Sequence, residues 1–447
     1  MSSVSTGAGL FQRAFDARVL EAGAGGGPAA ESRGRAFARF RELGVPTPRD
    51  ERWRGTQVAA LLARHDAGPA PLEAAALAGF REQASRLAAP APGSRLVFLG
   101  GRLDAAASPA LSGGAAGGPE VRLLREDEIP RFAAFGGVAG DEHHPFTALN
   151  GALFEDAVLI RVPRGLRAGE PLHLVFVSAP GGAAHPRVLV VAEESSEIRV
   201  VESWLGATGP GALTNAVTEI SLGPGARVEH LRIQREPSEA LHIGRVAARL
   251  ERDAAFRSVS IAAGAALARV DITVSLDGPG AECVLDGLFV GSGRQHLDHH
   301  TVIDHAAAHA TSRENYRGIL SGQARGIFDG TIIVRPGAQK TDAKQANRNL
   351  LLSDDALVDT TPRLEIRADD VKCAHAATIG RLDEGAMFYL RSRGLDAAEA
   401  RALLVRAFAG EITDALRPET LKNWADSAGG GPLLAPVLEP PRAAGIR

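Results

Sequence analysis

A cysteine and a histidine stand two residues apart in the stretch ADDVKCAH, at Cys373 and His375. If Val371–His375 is extended, residues i and i+2 point to one face, and thiol and imidazole lie side by side. A thiolate beside an imidazole suits iron, zinc or a sulfur-handling site. Against this, a lone Cys is usually a small buried apolar residue, and Cys-x-His arises readily by chance. Two protein ligands do not close a four-coordinate site, so a partner, a persulfide sulfur or water must complete it.

Other residues compete for a chemical role. His296, His299, His300, His305 and His309 are dense, yet their spacing alternates faces and fits no HExxH or zinc-ribbon pattern, so they read as stacking or interface residues. Asp329, Asp342, Asp354, Asp355 and Asp359 can supply acid/base pairs at glycosidase separations. Cys283, within ECVLDGLFV, reads as core. The chain carries no GxxxxGK[ST] phosphate loop, and its Gly-rich stretches lack the strand–GxGxxG–helix context of a dinucleotide site. Of 50 basic residues only Lys340, Lys344, Lys372 and Lys422 are lysines. Three fall between 340 and 372, where a compact ammonium is wanted or where they fell by accident. Lys372 alternates to the face opposite Cys373 and is expected to pair with Asp369 or Asp370.

The elements that position these residues change period twice. Up to about residue 90 the pattern is helical, as in Phe37, Phe40 and Leu43 with Gly44 as the stop. Ala22–Pro28 reads as a loose linker, Arg95–Gly100 as a short strand, and 105–118 as a Gly/Ala/Ser-rich stretch. From about Phe146 short β-type runs recur: 157–162, 172–177, 188–191, 198–202, 218–222, 227–233, 256–261, 269–274, 282–289, 295–303, 316–320, 326–334 and 364–366. More than ten such runs without helices argue for a solenoid, sandwich or barrel. Sparse aromatics, and Asn347 and Asn349 at i,i+2 with Asn315 in an earlier run, favour stacked parallel coils. After Met387 the helical period returns: Asp396 with Glu399 forms a capping box, and Leu403, Leu404, Ala407, Phe408, Ile412, Ala415 and Leu416 make one apolar stripe. Pro418 opens a second helix through Leu421 to Trp424, and the tail from Gly429 reads as disordered.

Composition removes several classes. A net charge of -3 argues against a nucleic-acid or anionic-membrane binder. No apolar run approaches the 18 residues of a spanning helix, and the N-terminus lacks the pattern of a secretory signal. Two cysteines are too few for a disulfide framework, so reducing cytoplasm is the expected compartment.

The stretches HLDHHTVIDHAAAHATSRENYRGILSG, GIFDGTIIVRPGAQKTDAKQANRNLLLSDDALVDTTPRLEIRADDVKCAHAATIGRLDEGAMFYLRSRG and ARALLVRAFAGEIT resemble the SufB/SufD family of iron–sulfur cluster assembly proteins. HPFTALNGALFEDAVLIRVP and PTPRDERWRGT are further echoes. His375 after the Cys, with the ATIG and FYLRSRG wording, is most like the SufD branch. Ala376 stands where Gly is common, and Ala310 where relatives often carry Cys.

The resemblance implies a mainly β fold: a right-handed parallel β-helix core over 146–384, an N-terminal mainly helical region over 1–145 with a strand near 95–100, and a C-terminal helical segment over 385–447. It implies a non-catalytic scaffold that meets a SufB-like subunit through the β-helix and a SufC-like ATPase through the C-terminal helices. Cys373 and His375 match positions implicated in an interfacial iron or cluster site, the cargo being transient and shared rather than held stably by this chain. Arg391, Arg393 and Gly394, then Leu403, Leu404, Ala407, Phe408 and Ile412, match the ATPase-facing part. A homodimer of the isolated chain stays open. The alternatives are a β-solenoid carbohydrate-active enzyme, disfavoured by the scarcity of aromatic platforms, and an adaptor with no ligand site.

Overall fold

The computed structural model describes residues 4–21, 28–63, 65, 68, 74–87, 93–108, 118–125, 128–129, 132–140, 143–207, 209, 211–417, 419–425 and 431–438. Residues 22–27 of the expected linker Ala22–Pro28, residues 109–117 of the Gly/Ala/Ser stretch, Pro418 and residues 439–447 lie outside them.

Helices come first: α1 (Val4–Glu21), α2 (Pro28–Leu43), α3 (Val58–Leu62) and α4 (Ala74–Leu87). Strands β1 (Arg95–Leu99), β2 (Arg102–Leu103) and β3 (Glu120–Leu123) precede α5 (Pro145–Leu153). The early coils are β4 (Ala157–Val162), β5 (Leu172–Ser178), β6 (Ala183–Ala184), β7 (Arg187–Ala192), β8 (Glu197–Gly206), β9 (Leu213–Leu222), β10 (Arg227–Gln234) and β11 (Leu241–Leu250). Next come β12 (Ala255–Ala262), β13 (Leu267–Leu276), β14 (Glu282–Gly291), β15 (His296–His305) and β16 (Thr311–Leu320). The last coils are β17 (Arg325–Val334), β18 (Asp342–Leu351), β19 (Leu357–Ile366) and β20 (Lys372–Gly380). The chain then turns helical in α6 (Glu384–Ser392), α7 (Ala397–Thr413), α8 (Glu419–Ala425) and α9 (Gly431–Leu438).

From β7 onward, successive strands alternate between two sheets, and within each sheet every pairing from β4 or β5 on is parallel. One sheet runs β2-β1-β5-β8-β10-β12-β14-β16-β18-β20, the other β19-β17-β15-β13-β11-β9-β7-β4-β3. This is a parallel β-solenoid, as the sequence leads one to expect. The strand near 95–100 is no separate piece, because β1 pairs parallel with β5 and extends the first sheet.

The repeat escapes a search for a fixed period because the coils differ in length, near thirty residues each. A backbone position repeats instead. Ser195, Gly225, Asp253, Gly280, His309 and Lys340, each two residues before a strand of the first sheet, all take positive φ. Their N–H groups donate along the stack, Ser195 to Pro224 O, Gly225 to Arg252 O, Asp253 to Pro279 O and onward to Lys340 with Asp370 O. Each coil is thus pinned to the next at its corner.

Inward rows are mainly aliphatic: Val228, Phe256 and Cys283 on the first sheet face Val246, Ile272 and Ile303 on the second. The asparagines do not stack as expected. Asn315 aligns with Ala346, whereas Asn347 lies beside Tyr316 and donates to its carbonyl at 3.2 Å, and Asn349 donates to Asn347 Oδ1 at 2.5 Å. Gly287 makes room for the Tyr316 ring, since a Cβ there would lie 2.1 Å from it. Gly287→Ala is expected to cost about 1–3 kcal/mol, read as a lower urea midpoint with unchanged slope.

Outer faces are covered. Helices α1, α2 and α5 pack Phe11, Phe37, Phe40 and Phe146 against Leu241 and Leu267 of the second sheet. Helices α7 and α9 pack Val405, Ile412, Leu433 and Val437 on the first sheet. The tail expected to be disordered from Gly429 therefore contains α9, held by three buried aliphatic side chains, Leu433, Leu434 and Val437. No described helix is long and apolar enough to cross a membrane.

Candidate functional site at the open end of the solenoid

β20 is the last strand of the first sheet and pairs on one side only, with β18. Parity along the stack fixes what it presents. Ser312, Glu314 and Tyr316 of β16 are buried, as are Ala343, Gln345, Asn347 and Asn349 of β18. Cys373 lies over Ala343 and His375 over Gln345. Thiol and imidazole thus continue two inward-facing rows, brought to one side of the strand as the i,i+2 spacing requires. Cys373 is half-buried and His375 exposed, because among the described residues no further coil covers them.

Burial pushes the Cys373 thiol up, and the nearby Asp342 carboxylate adds to the shift. A cation or metal bound there would favour deprotonation of the thiol. One rung below His375, Gln345 Nε2 donates to Glu314 Oε2 at 2.7 Å. Desolvation pushes the Glu314 carboxyl up to about 7. Among the described residues no three His, Cys, Asp or Glu side chains converge as a metal site.

The remaining residues sort themselves. Asp370 pairs with Lys340, not Lys372, because Lys340 occupies the positive-φ corner of the preceding coil and reaches it. Lys372 instead aligns with Asp342 and helps hold its carboxyl below the usual range, after the hydrogen bond from Arg313. Cys283 is buried core. His299 stacks on Phe289 and lies beside the tilted Tyr316 ring inside the solenoid, and His305 meets Ser312 Oγ at 2.9 Å. His296 and His300 face outward, to Thr56 and Asp298 respectively, and His309 is a corner residue. Four of the five glycosidase-type carboxylates are engaged with arginine, Asp329 with Arg363, Asp342 with Arg313, Asp354 with Arg381 and Asp359 with Arg325, while Asp355 is exposed.

In the C-terminal helices the residues expected to face a partner divide between core and surface. Ile412 is fully buried beneath α7 with Val405, Ala409 and Leu416, so it belongs to the core and not to a docking face. Phe408 is partly buried and lies under the Arg317 guanidinium, 4.6 Å from the ring centroid. Leu404 is half-buried, while Leu403 and Ala407 face out. Arg391 and Arg393 are exposed at the end of α6, and Gly394 takes positive φ there. Sequence reasoning missed Phe388 and Tyr389, exposed at 75% and 57% beside them. In a chain with two tyrosines and 16 phenylalanines, adjacent aromatics on a short polar helix were the available signal.

Comparison with known proteins agrees with this architecture. Residues 175–408, over half of the chain, match the family described as SUF system FeS cluster assembly, SufBD core domain. An iron–sulfur cluster assembly SufBD family protein of Synechocystis is 32% identical over 400 residues, covering 85% of this chain and 86% of that one. The iron–sulfur cluster assembly protein SufD of Escherichia coli is 31% identical over 387 residues, covering 85% and 87%. A SufBD family protein of Mycobacterium tuberculosis is 31% identical over 394 residues, covering 86% and 88%. By this agreement of sequence and solenoid, the chain belongs to the SufBD family of iron–sulfur cluster assembly proteins, and is similar to its SufD members.

Proposed function

We propose that this chain is a non-catalytic, SufD-like scaffold subunit in a cytoplasmic cluster-assembly complex with a SufB-like subunit and a SufC-like ATPase. The observation that carries this reading is the pair Cys373 and His375 on a terminal strand that pairs on one side only, which leaves its other edge open to a second subunit with further ligands. The SufB-like partner adds strands at that open end. Iron or a nascent cluster is the cargo, held transiently between the two chains. A neutral His375 is the donor better suited to iron, and Cys373 takes sulfur or packs. The exposed Phe388, Tyr389, Leu403 and Ala407, with Arg391 and Arg393, form the face for the ATPase.

The test is co-expression with the SufB-like and SufC-like proteins of the same genome, with iron and sulfide quantified in the purified complex. His375→Ala is expected to leave the complex intact and cut retained iron about tenfold or more, since losing even an outer-shell partner of a ligand costs that much. If His375→Ala and Cys373→Ala complexes both mature clusters at the normal rate, the chain is an adaptor without a ligand site.

A further inference from the structure

We infer that Gln345, held by Glu314, is a positioning residue for His375: its side-chain oxygen accepts the imidazole N–H that the ligating nitrogen leaves over. The inference rests on the seam reading above and adds two residues to it. Leu285, Glu314, Gln345 and His375 form one row across four coils in strict register. Gln345 is 3% exposed and Glu314 is equally buried. The Gln345 amide nitrogen donates to Glu314 Oε2 at 2.7 Å. Its oxygen Oε1 is buried and has no partner among the described residues.

A buried acceptor without a donor is costly, and a native fold keeps one for a reason. The next residue of the row is His375, one strand spacing away, roughly 4.8 Å. An amide oxygen can only accept, so it selects a ring N–H and orients the lone pair of the other nitrogen away from it, toward the seam. A histidine that binds metal nearly always donates its second N–H to a carboxylate or carbonyl oxygen, which fixes tautomer and ring angle. The second sheet makes room for this arrangement. Gly330 lies against the same amide, and a Cβ there would sit 2.3 Å from Gln345 Nε2.

The test uses the co-expressed complex with histidine labelled by nitrogen-15, His375 being assigned by its loss in His375→Gln. In the wild-type complex freed of iron, His375 is expected to show ring shifts of one neutral tautomer. Gln345→Met, close in volume but without an acceptor, is expected to show averaged tautomers and roughly 10–100-fold weaker iron retention. Gln345→Glu, which keeps an oxygen at that place, is expected to restore the single tautomer. Gly330→Ala, which displaces the amide without deleting it, is expected to resemble Gln345→Met and stands in for it should that variant not fold. A wild-type His375 with averaged tautomers overturns the inference. So does a Gln345→Met complex with unchanged tautomer and iron retention, while loss of iron in His375→Ala leaves the seam reading standing. Unchanged iron retention in His375→Ala overturns the seam reading itself.

Discussion

Between pH 7.5 and pH 5 four buried histidines, offset in part by one buried carboxyl, are expected to take about 6 kcal/mol from the stability of the chain, a large part of what a folded domain possesses. Burial lowers the folded-state pKa of His173, His185 and His299 to about 3 and of His305 to about 4. The unfolded chain titrates these groups near 6.5. Above that value both states are neutral and no penalty exists. As pH falls below it, the unfolded state takes up protons that the fold refuses, at about 1.4 kcal/mol per group per pH unit. Glu314 acts in the opposite sense. Its folded-state value of about 7 against 4.5 means its contribution is present in acid and lost as pH rises through 7, offsetting about one histidine. Urea unfolding at pH 7.5, 6.5 and 5.5 reads the net slope, and His299→Leu is expected to make it shallower by about one proton. A stability independent of pH over this range would contradict the buried, neutral imidazoles.

Asp298→Ala is expected to destabilise the fold by about 1–3 kcal/mol, since Arg269 Nη1 and Thr56 Oγ1 lose a buried acceptor while Asp271 still pairs the guanidinium. Arg269 is 1% exposed and divides its guanidinium between Asp298, at 2.6 Å, and Asp271, at 2.9 Å. Asp298 also meets His300 Nε2 at 2.9 Å and accepts from Thr56 Oγ1 at 2.5 Å. Trp53 caps the cluster, with Arg269 3.8 Å from its ring centroid, and Arg269 Nη1 donates to Arg52 O. The echo PTPRDERWRGT thus acquires a physical role as the cover over a buried charge cluster on the outer face of the second sheet. Asp298→Ala combined with Arg269→Met is expected to cost less than the sum of the two single losses, since their shared contact is counted in both. The double-variant cycle in chemical unfolding measures that coupling.

The legible part of the fold was the part written in aliphatic residues. Runs such as Ala157–Val162 and Phe256–Ile261 announced strands because β-branched and aliphatic side chains fill the interior rows. β18, DAKQANRNLL, is absent from the expected β runs, though its asparagines hinted at a coil, because its inward positions are Gln345, Asn347 and Asn349, and polar side chains facing inward erase the alternation that marks a strand. β11 was hidden by Arg245 and Arg249 on its outer face and by His242 and Gly244 within. The i,i+2 reading of Cys373 and His375 survived because strand parity is local. That Gln345 and Glu314 lie in their row was not readable, since it depends on coil lengths that vary. Ile412 was misassigned for a related reason: a helical stripe tells which residues are apolar, not which side the sheet takes.

A chain stacked from coils gains its cohesion one neighbour at a time. Its final turn, β19 and β20, has a neighbour on one flank only, so its backbone amides are expected to exchange with solvent before those of β10 or β12. Any surface that docks on that rim lends the missing flank. The act of joining would then quench the motion of the very turn that carries the imidazole and the thiol, so that rigidity arrives there together with company.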